Sequence, residues 1–541
     1  MGSQDPTAEL PSVDSAGGEL QQVVEHGGKL DAVTLEMADQ ATQAEHNIST
    51  WQALKMHRSG ALWSLFFSLC IIMRAYDIEI TGNFYALPAF QKHFGEKSPG
   101  GGYQIPAKWQ VAMSMGPIVG QVVGAWACAI PMDRIGRKKT LALYLCATIA
   151  LIFMQVFATN IRVLTTSMYL AGLIWGGYHV LAPTYASEVL PLRLRGYFTG
   201  YVQLCYTIGQ FLQTGITRGF VNRADKWAYK IPYAIQWVWP VILLIGLIWA
   251  PESPWWLMRQ NRLEDAKRAL DQLTNKSIQA QNTNTLAMMA QTDLYEREQE
   301  LGTTYRDCFK GSNRRRLEIC SMLFVVQNFA GNPTGFATYL FEQVGLNAEQ
   351  AFDMGVALNA VSFVGTLLCV FPLAWFGRRI SWLIGLSYSV AIMWIVAILC
   401  FAKNYNSTPS YSWAQAVMLI SLQFVFALTI GPLGFTISSE VPSSKLRART
   451  LSLTATINGL SYLVLDILGP FFLNPGAINA GAKIEFVFGG ISVFSLVWSY
   501  FRLPETKDRT YKELDIMFDN NVPTRQFKKY QVSDEGEDTH A

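Results

Sequence analysis

The segment Ser187-Glu188-Val189, with Leu194-Arg195 after it, recurs in the second half of the chain as Ser439-Glu440-Val441, with Leu446-Arg447 after it. Glu188 and Glu440 are 252 residues apart (440 − 188). A second signal, Pro251-Glu252-Ser253, recurs as Pro504-Glu505-Thr506 at an offset of 253 residues (504 − 251). A looser third echo joins Gly136-Arg137-Lys138 to Gly377-Arg378-Arg379. The shared offset indicates a tandem duplication of one unit.

Composition and apolar runs predict a polytopic membrane protein. Of the 541 residues, 50% are hydrophobic and only 15% are charged, and the charges cluster between long apolar runs. A helix needs about 20 apolar residues to cross the hydrocarbon core of a bilayer. Twelve segments meet this requirement, near 61–82, 109–131, 139–158, 165–187, 199–217, 234–250, 317–340, 353–374, 381–402, 414–438, 450–472 and 483–502. We therefore predict an all-α integral membrane protein with 12 transmembrane helices in two pseudo-symmetric six-helix bundles.

The central loop predicts the orientation of the chain. Lysine and arginine are retained on the cytoplasmic side, and the loop carries Arg259, Arg262, Lys267, Arg268, Arg314, Arg315 and Arg316 close to its flanking helices. An even number of helices then leaves both termini cytoplasmic. The acceptor Asn406-Ser407-Thr408 falls outside in this topology, so we expect glycosylation of Asn406.

The same topology divides the chain into five parts. They are an N-terminal tail at 1–58, a first bundle at 59–252, a central loop at 253–316, a second bundle at 317–503 and a C-terminal tail at 504–541. The polar N-terminal tail, and the C-terminal tail after Phe518, have the composition of disordered segments. In the central loop, the apolar residues of 262–273 recur on one face, which predicts a helix packed against the bundle.

The turn Asp133-Arg134-Ile135-Gly136-Arg137-Lys138-Lys139 lies between the second and third predicted helices. Cytoplasmic anchoring explains its basic residues. An aspartate before a glycine turn can in addition cap a helix and pair with arginine across a helix interface. The turn resembles the loop between helices two and three of the major facilitator superfamily.

This resemblance implies a gate on the cytoplasmic side. Glu188 and Glu440, with the basic residues after them, resemble the positions that latch the two halves together in that superfamily. The expected gate residues are Asp133, Arg134, Arg137, Glu188, Arg195, Glu440 and Arg447. The second copy of the turn has Trp375 in place of an aspartate, so its latch is expected to be weaker.

The segments that follow the sixth and twelfth helices, Pro251-Glu252-Ser253-Pro254-Trp255-Trp256-Leu257 and Pro504-Glu505-Thr506, resemble the markers of the sugar porter family within that superfamily. The Trp-Trp form is similar to the fungal α-glucoside (maltose-type) permeases. Two further segments share this similarity, Asn83-Phe84-Tyr85-Ala86-Leu87-Pro88 and Tyr185-Ala186-Ser187-Glu188. The resemblance covers residues 50–525.

A site for a neutral sugar needs amides that donate and accept hydrogen bonds, and aromatic faces for the apolar side of the ring. Gln203 and Gln210 are seven residues apart and share one helix face; the seventh helix carries Gln327 and Asn328. Any one amide alone could simply join two helices by a hydrogen bond. The resemblance implies that these four bind sugar hydroxyls. The remaining candidates are Asn332, Asn359, Asn458 and Phe435, the last at a position where many sugar porters carry tryptophan.

Three acidic residues lie inside predicted membrane helices, where ionisable groups are costly and usually functional. They are Asp77, Glu79 and Asp466. The resemblance implies proton coupling for Asp77, because it matches the helix-one aspartate of sugar–proton symporters. Arg74 could instead hold Asp77 in a static ion pair, and both interpretations stay open. Maltose-type permeases tend to have an acid where this chain has Arg74.

The predicted function is secondary-active transport of a sugar across a fungal plasma membrane by alternating access. The expected substrate is an α-glucoside such as maltose, and the expected energy source is proton symport. Two alternatives keep the fold: a carrier for a fungal secondary metabolite or other non-sugar, which the altered acid and Phe435 suggest, and a sensor that does not transport. The expected partners are the sugar, the proton and the lipid bilayer, with no nucleic acid, metal or cofactor. An enzyme is not expected, because there is no nucleotide-binding loop and no convergent nucleophile and base.

Overall fold

The structure is a computed structural model that describes residues 35–38, 40–41, 48–97, 102–300, 304–330, 336–402, 409–443, 446–507, 509 and 511–530. These residues are overwhelmingly helical, in agreement with the predicted fold class. The strands present in this part of the chain are β1 (Glu96–Lys97) and β2 (Tyr103–Gln104), which form a small antiparallel hairpin after the first membrane helix.

The helices follow the predicted order. The first half contains α1 (Thr50–Met56), α2 (Arg58–Phe84), α3 (Pro88–Phe94), α4 (Ala107–Ile135), α5 (Arg137–Val156), α6 (Ile161–Val189), α7 (Leu192–Phe220), α8 (Trp227–Ile235) and α9 (Val238–Leu247). The central segment contains α10 (Pro254–Arg259), α11 (Leu263–Leu273) and α12 (Asn282–Glu300). The second half contains α13 (Gly311–Ala330), α14 (Ala337–Gln343), α15 (Ala348–Leu368), α16 (Val370–Trp375), α17 (Arg378–Leu399), α18 (Pro409–Leu428), α19 (Ile430–Glu440), α20 (Arg447–Leu473) and α21 (Glu485–Arg502), with α22 (Tyr511–Asp519) after it. Short 3₁₀ helices lie at Lys276–Gln281, Tyr305–Phe309, Gly481–Ile484 and Thr524–Gln526.

These helices build twelve membrane spans. Spans 1 to 5 are α2, α4, α5, α6 and α7; span 6 is α8 with α9, span 7 is α13 with α14, and span 8 is α15 with α16. Span 9 is α17, span 10 is α18 with α19, and spans 11 and 12 are α20 and α21. In the described part of the chain, nine spans are long and apolar enough to cross a membrane by length and composition alone. Spans 4, 5 and 7 fall outside that group because they carry more residues of low hydropathy, such as the amides of spans 5 and 7.

The helix packing repeats between the two halves. Span 1 packs along span 5 and span 2 along span 4; in the second half, span 7 packs along span 11 and span 8 along span 10. Spans 3 and 6 correspond in the same way to spans 9 and 12. The halves meet where span 5 packs on span 8 and span 2 packs on span 11, which is again a symmetric pair of contacts. The duplication inferred from the sequence is therefore a duplication of structure.

Glycines permit the close packing of spans 2 and 4. A Cβ atom added at Gly120 would lie 2.6 Å from the carbonyl oxygen of Tyr169, and one at Gly124 would collide with the carbonyl of Leu173. On span 4, a Cβ atom at Gly172 would lie 2.5 Å from the carbonyl oxygen of Pro117. Small residues spaced four apart let two helix backbones approach closely. Such packing favours helix association in a bilayer, where the hydrophobic effect does not drive helices together.

The two ends of the bundle differ. The end that carries α1, the helices α10 to α12 and α22 is called the tail side here, and the opposite end is called the far side. The predicted helix of the central loop is confirmed as α11, which buries Ala266, Ala269, Leu270 and Leu273. The prediction of disorder after Phe518 is wrong for residues 519–530. Val522 and Phe527 are buried there because Arg315 binds the carbonyl oxygen of Val522 at 2.9 Å and its guanidinium lies over the Phe527 ring.

Candidate functional site

Two of the predicted polar residues meet between spans 1 and 5. Glu79 is buried in span 1, and the Nε2 atom of Gln210 in span 5 donates a hydrogen bond of 3.1 Å to its Oε2 atom. These spans pack along each other, so the contact lies inside the first half rather than at the surface. An acid predicted for protons and an amide predicted for sugar hydroxyls are therefore directly joined.

Asp77 has a partner that sequence reasoning missed. The indole Nε1 atom of Trp175 in span 4 donates a hydrogen bond of 2.9 Å to Oδ2 of Asp77. Its Oδ1 atom is buried and makes no hydrogen bond of normal geometry with the described residues, and the side-chain amide of Gln236 in span 6 is the neighbouring group that can donate to Asp77. No local pattern signals this contact, because Trp175 is 98 residues away in the chain.

The static ion pair between Arg74 and Asp77 is not present. The Nη2 atom of Arg74 donates instead to Oε1 of Gln121 in span 2 at 2.9 Å, and its guanidinium lies 5.4 Å from the centroid of the Tyr206 ring. Residues three apart on a helix point in similar directions, yet Asp77 turns to span 4 and Arg74 to spans 2 and 5. The bond to Trp175 and the stacking on Tyr206 account for this divergence.

Asp466 in span 11 is buried at 8% exposure and makes no hydrogen bond or ion pair with the residues that the structure describes. It lies within electrostatic range of Tyr85, Tyr206 and Tyr462. Tyr206 and Tyr85 belong to the first half, so Asp466 faces the opposite half of the protein. Asp466 and Glu79 both lie within electrostatic range of Tyr206 and Tyr462.

The amides of span 7 bind neighbouring helices of the second half. Gln327 donates through Nε2 to the carbonyl oxygen of Gly431 at 2.8 Å, just after the break between α18 and α19. Asn328 donates through Nδ2 to Oδ1 of Asn458 at 2.9 Å and to Oγ of Ser461 at 2.6 Å. These contacts leave the Oε1 atom of Gln327 and the Oδ1 atom of Asn328 without a hydrogen bond from the described residues. The amides therefore join helices, and each keeps an acceptor that a ligand could use.

Asn359 and Phe435 are the candidates that spans 8 and 10 contribute. Asn359 in span 8 donates to Oγ1 of Thr214 in span 5 at 2.9 Å and so bridges the halves. Phe435 in span 10 is 43% exposed and packs edge-on against Phe324 of span 7 with 5.1 Å between ring centroids. The candidate residues thus come from spans 5, 7, 8, 10 and 11.

Some predicted residues lie beyond what the structure describes. Asn332 and the glycosylation candidate Asn406 fall outside the described residues. Gln203 and Arg195 lie in α7, but their side chains are not described. Arg447 begins α20, and Arg134 is exposed on the tail side.

A buried charge cluster lies at the tail-side end of span 3. Nε and Nη2 of Arg137 bind the two carboxylate oxygens of Glu188 at 2.9 and 2.7 Å, and Nη1 lies 3.9 Å from Oδ1 of Asp133. Gly136, with φ of +91°, opens the turn so that Glu252 can accept hydrogen bonds from the backbone N–H groups of Arg137 and Lys138 at 2.8 and 3.1 Å. Burial raises the pKa of Glu252, and these backbone donors oppose the rise.

The second copy builds the same cluster on span 9. Nη2 of Arg378 binds Oε1 of Glu440 at 2.9 Å, and the backbone N–H of Arg378 donates to Oε1 of Glu505 at 2.9 Å. Gly377 has φ of +84°. The Pro-Glu signals of the sequence are thus N-terminal caps for spans 3 and 9, a role that their position after spans 6 and 12 did not reveal.

Both clusters lie within one half of the protein. Arg137, Glu188 and Glu252 all belong to the first half, and Arg378, Glu440 and Glu505 to the second. In this conformation Glu188 and Glu440 therefore pair within their own halves. Each glutamate binds an arginine of its own half, because the two spans that carry the glutamate and the arginine are neighbours within that half. The expected latch between the halves belongs to the conformation closed on the tail side and stays a prediction.

Contacts that join the halves gather near the far side. Arg218 of span 5 binds Asp353 and Glu349 of span 8, with Nε to Oδ1 at 2.5 Å and Nη2 to Oε1 at 2.7 Å. Asn83 at the end of span 1 accepts a hydrogen bond of 2.6 Å from Thr338 of span 7 and donates to Gln213 and Thr214. The Nδ2 atom of Asn474 donates to the carbonyl oxygen of Ile105 at 2.9 Å. The buried acids of span 1 therefore lie on the tail side of a closed far-side layer.

Comparison with known proteins agrees with this architecture. The family model described as Sugar (and other) transporter matches residues 63–518. The chain is 32% identical over 498 residues to the general alpha-glucoside permease of Saccharomyces cerevisiae, covering 91% of this chain and 80% of the relative. It is also 32% identical over 506 residues to the maltose permease MAL61 of S. cerevisiae, covering 92% and 82%.

Among solved structures, the chain is similar in fold to the xylose transporter XylE from E. coli in a partially occluded inward open conformation. The TM-score is 0.65 at 17% identity, over 83% of this chain and 98% of XylE. The nucleoside transporter NupG shares the fold at a TM-score of 0.53 and 11% identity, over 82% of this chain and 99% of NupG. Twelve spans in two repeated halves, the family model and the yeast permeases agree: the chain belongs to the sugar transporter family of the major facilitator superfamily and is not an enzyme.

Proposed function

We propose that this protein carries an α-glucoside such as maltose through the membrane by alternating access and that a proton accompanies the sugar. The proposal rests first on the 32% identity to α-glucoside and maltose permeases over about nine-tenths of the chain. The two bundles, residues 59–252 and 317–503, move against each other, and the sugar lies between them near the middle of the membrane.

The observation that carries the proposal is the direct contact between Gln210 and Glu79. An amide that binds a sugar hydroxyl and an acid that accepts a proton are joined by one hydrogen bond of 3.1 Å. Protonation of Glu79 removes the charge that holds the Gln210 amide, since charge-assisted hydrogen bonds are roughly twice as strong as neutral ones. The freed amide then turns to the sugar, which couples the two ligands.

Asp77 is the proposed second proton site. It is buried with one carboxylate oxygen on Trp175 and the other without a hydrogen bond of normal geometry among the described residues, which is an environment where a proton resolves an uncompensated charge. Gln203, Gln327, Asn328, Asn332, Asn359 and Asn458 supply the other polar contacts to the sugar, and Phe435 supplies an aromatic face.

Access changes sides as the far-side layer opens and the tail-side ends close. In this proposal the tail side is cytoplasmic and the protein lies in the plasma membrane. The conformation described here has its interior closed from the far side, so the sugar would leave toward the cytoplasm. The clusters around Arg137 and Arg378 keep the tail-side turns rigid while the halves move.

The test is uptake of labelled maltose by cells that lack their own sugar carriers, with and without a proton gradient. Wild-type protein is expected to accumulate maltose only with the gradient. Glu79→Gln and Asp77→Asn are expected to retain exchange of maltose across the membrane but to lose accumulation. Arg223→Gln, which removes an exposed arginine outside the membrane spans, is the control and should leave accumulation unchanged. Full accumulation by the first two variants would remove these residues from the coupling. Failure of maltose and a panel of sugars to compete would reject the substrate class.

A further inference from the structure

Arg74 is a buried cation that forms no ion pair with any carboxylate in the described part of the chain. Its exposure is 4%, and it lies in span 1. Nη2 donates to the neutral amide of Gln121, while Nε has no hydrogen-bond partner among the described residues. The groups that act electrostatically on it are Tyr206, Tyr462 and Cys70, and no described carboxylate is among them. Removing a cation from water without a partner is costly, and such residues in membrane helices usually mark a ligand path.

In the described part of the chain, none of the three acids predicted inside the membrane helices acts electrostatically on Arg74. Asp77 binds Trp175 and Glu79 accepts from Gln210. Asp466 acts on Tyr206 and Tyr462, which also feel Arg74. The two tyrosines therefore lie within electrostatic range of both Arg74 and Asp466.

Arg74 faces the interface between the halves. Gln121 and Tyr206 belong to the first half, whereas Tyr462 belongs to span 11 of the second and is 38% exposed. The Cζ atom of Arg74 lies 5.4 Å from the centroid of the Tyr206 ring. Its Nε atom has no hydrogen-bond partner among the described residues and can donate to an acceptor in the plane of the guanidinium. Arginine binds carboxylates in this plane through two parallel hydrogen bonds.

We propose that Arg74 binds a carboxylate on the substrate and that the protein carries an acidic sugar, a glycoside bearing one carboxylate group. The hydroxyls of Tyr206 and Tyr462 can donate to the same carboxylate, since a carboxylate accepts about four hydrogen bonds. A neutral sugar could accept a bond from Arg74 but would leave its charge uncompensated. This inference rests on the proposed function for the position of the binding site and narrows its substrate class.

The probes are maltobionate and maltitol, two open-chain glucosides that differ only in a terminal carboxylate against a terminal alcohol. Binding to the purified full-length protein is measured directly by titration calorimetry, so the result does not depend on transport. Wild-type protein is expected to bind maltobionate on the order of tenfold more tightly than maltitol, the effect of one charge-assisted contact.

Three variants separate anion binding from a structural role. Arg74→Gln should reduce the preference to within about twofold while maltitol affinity is retained, because only the charged contact is lost. Arg74→Lys keeps the charge and should keep a preference for maltobionate. This result would show that the loss of preference in Arg74→Gln comes from the missing charge and not from a folding defect caused by replacing the arginine. Arg223→Gln removes an exposed far-side arginine and should leave both affinities unchanged.

Equal binding of the two probes by wild-type protein would overturn the proposal, as would an unchanged preference in Arg74→Gln. If neither disaccharide binds, the pair glucuronate and glucose is titrated instead, and absence of a preference for glucuronate overturns the inference as well. The proposed function fails independently, when labelled maltose is not transported. A preference for the acid in a protein that does not move maltose would therefore reject neutral maltose as the substrate and keep the role of Arg74.

Discussion

Arg137 and Glu188 form a two-point ion pair, with Nε and Nη2 of the arginine 2.9 and 2.7 Å from the two carboxylate oxygens. The side chains are 4% and 11% exposed. The duplicated pair of Arg378 and Glu440 is joined by one contact of 2.9 Å, and its side chains are 22% and 19% exposed. One ancestral pair has thus reached two different degrees of burial.

This difference predicts unequal effects of the same substitution. Glu188→Gln should lower the free energy of unfolding by about 3 kcal/mol, because it leaves the buried guanidinium of Arg137 without its charge partner. Glu440→Gln should cost about 1 kcal/mol, because water reaches Arg378. The measurement is the unfolding of both variants in detergent, with Asp133→Asn as a control whose carboxylate is 77% exposed. Equal losses would contradict the assigned role of burial.

Glycine is required where spans 2 and 4 touch. Gly124→Ala should destabilise the protein by about 2 kcal/mol or more, because the new methyl group meets the carbonyl of Leu173 and must push two backbones apart. Gly215→Ala is the matched control, since a Cβ atom there has nothing within 4 Å, and it should be neutral or stabilising by up to about 1 kcal/mol. Melting temperatures in detergent compare the two, and a harmless Gly124→Ala would refute the close approach.

The ion pair of Arg218 with Asp353 and Glu349 ties the halves at the far side. Arg218→Ala should shift the population toward conformations that are open on the far side. The shift should be only a fewfold, because the two carboxylates are 50% exposed and such exposed ion pairs contribute about 1 kcal/mol or less. Distances between spin labels placed on the far-side ends of spans 5 and 8 report the shift. The double variant Arg218→Ala/Asp353→Ala should differ little from Arg218→Ala alone. An additive second effect would show that the two residues act separately.

His57 predicts a dependence of stability on pH. It precedes span 1, and burial lowers its pKa from 6.5 to about 4. The unfolded chain binds a proton at His57 more readily than the folded protein does. The contribution of neutral His57 to the free energy of unfolding is therefore fully present above pH 6.5 and is lost progressively as the pH falls toward 4. His57→Gln should remove a part of this fall on the order of 1 kcal/mol. Melting temperatures at pH 7.5 and 5 test it, and parallel losses in both proteins would exclude His57 as the source.

The membrane spans and their duplication could be predicted because both are local properties of the chain. Span 9 was expected at 381–402 and is found at Arg378–Leu399. A single apolar run of this length in lipid can pair its backbone N–H and C=O groups only by forming a helix. The repeated Ser-Glu-Val and Pro-Glu signals likewise occupy matching ends of matching helices. Polar residues inside apolar runs also identified Asp77, Glu79 and Asp466, and all three are buried.

The sequence by itself determined twelve apolar crossings, their repetition and the family, because each depends on composition and spacing along one chain. Only the tertiary structure decided the partners: Trp175 rather than Arg74 for Asp77, Glu79 for Gln210, and Arg137 of the same half for Glu188. Partner choice depends on which helices become neighbours and which way long side chains turn between them. These contacts join residues that are 51 to 131 positions apart in the chain, and no periodicity within one helix encodes them.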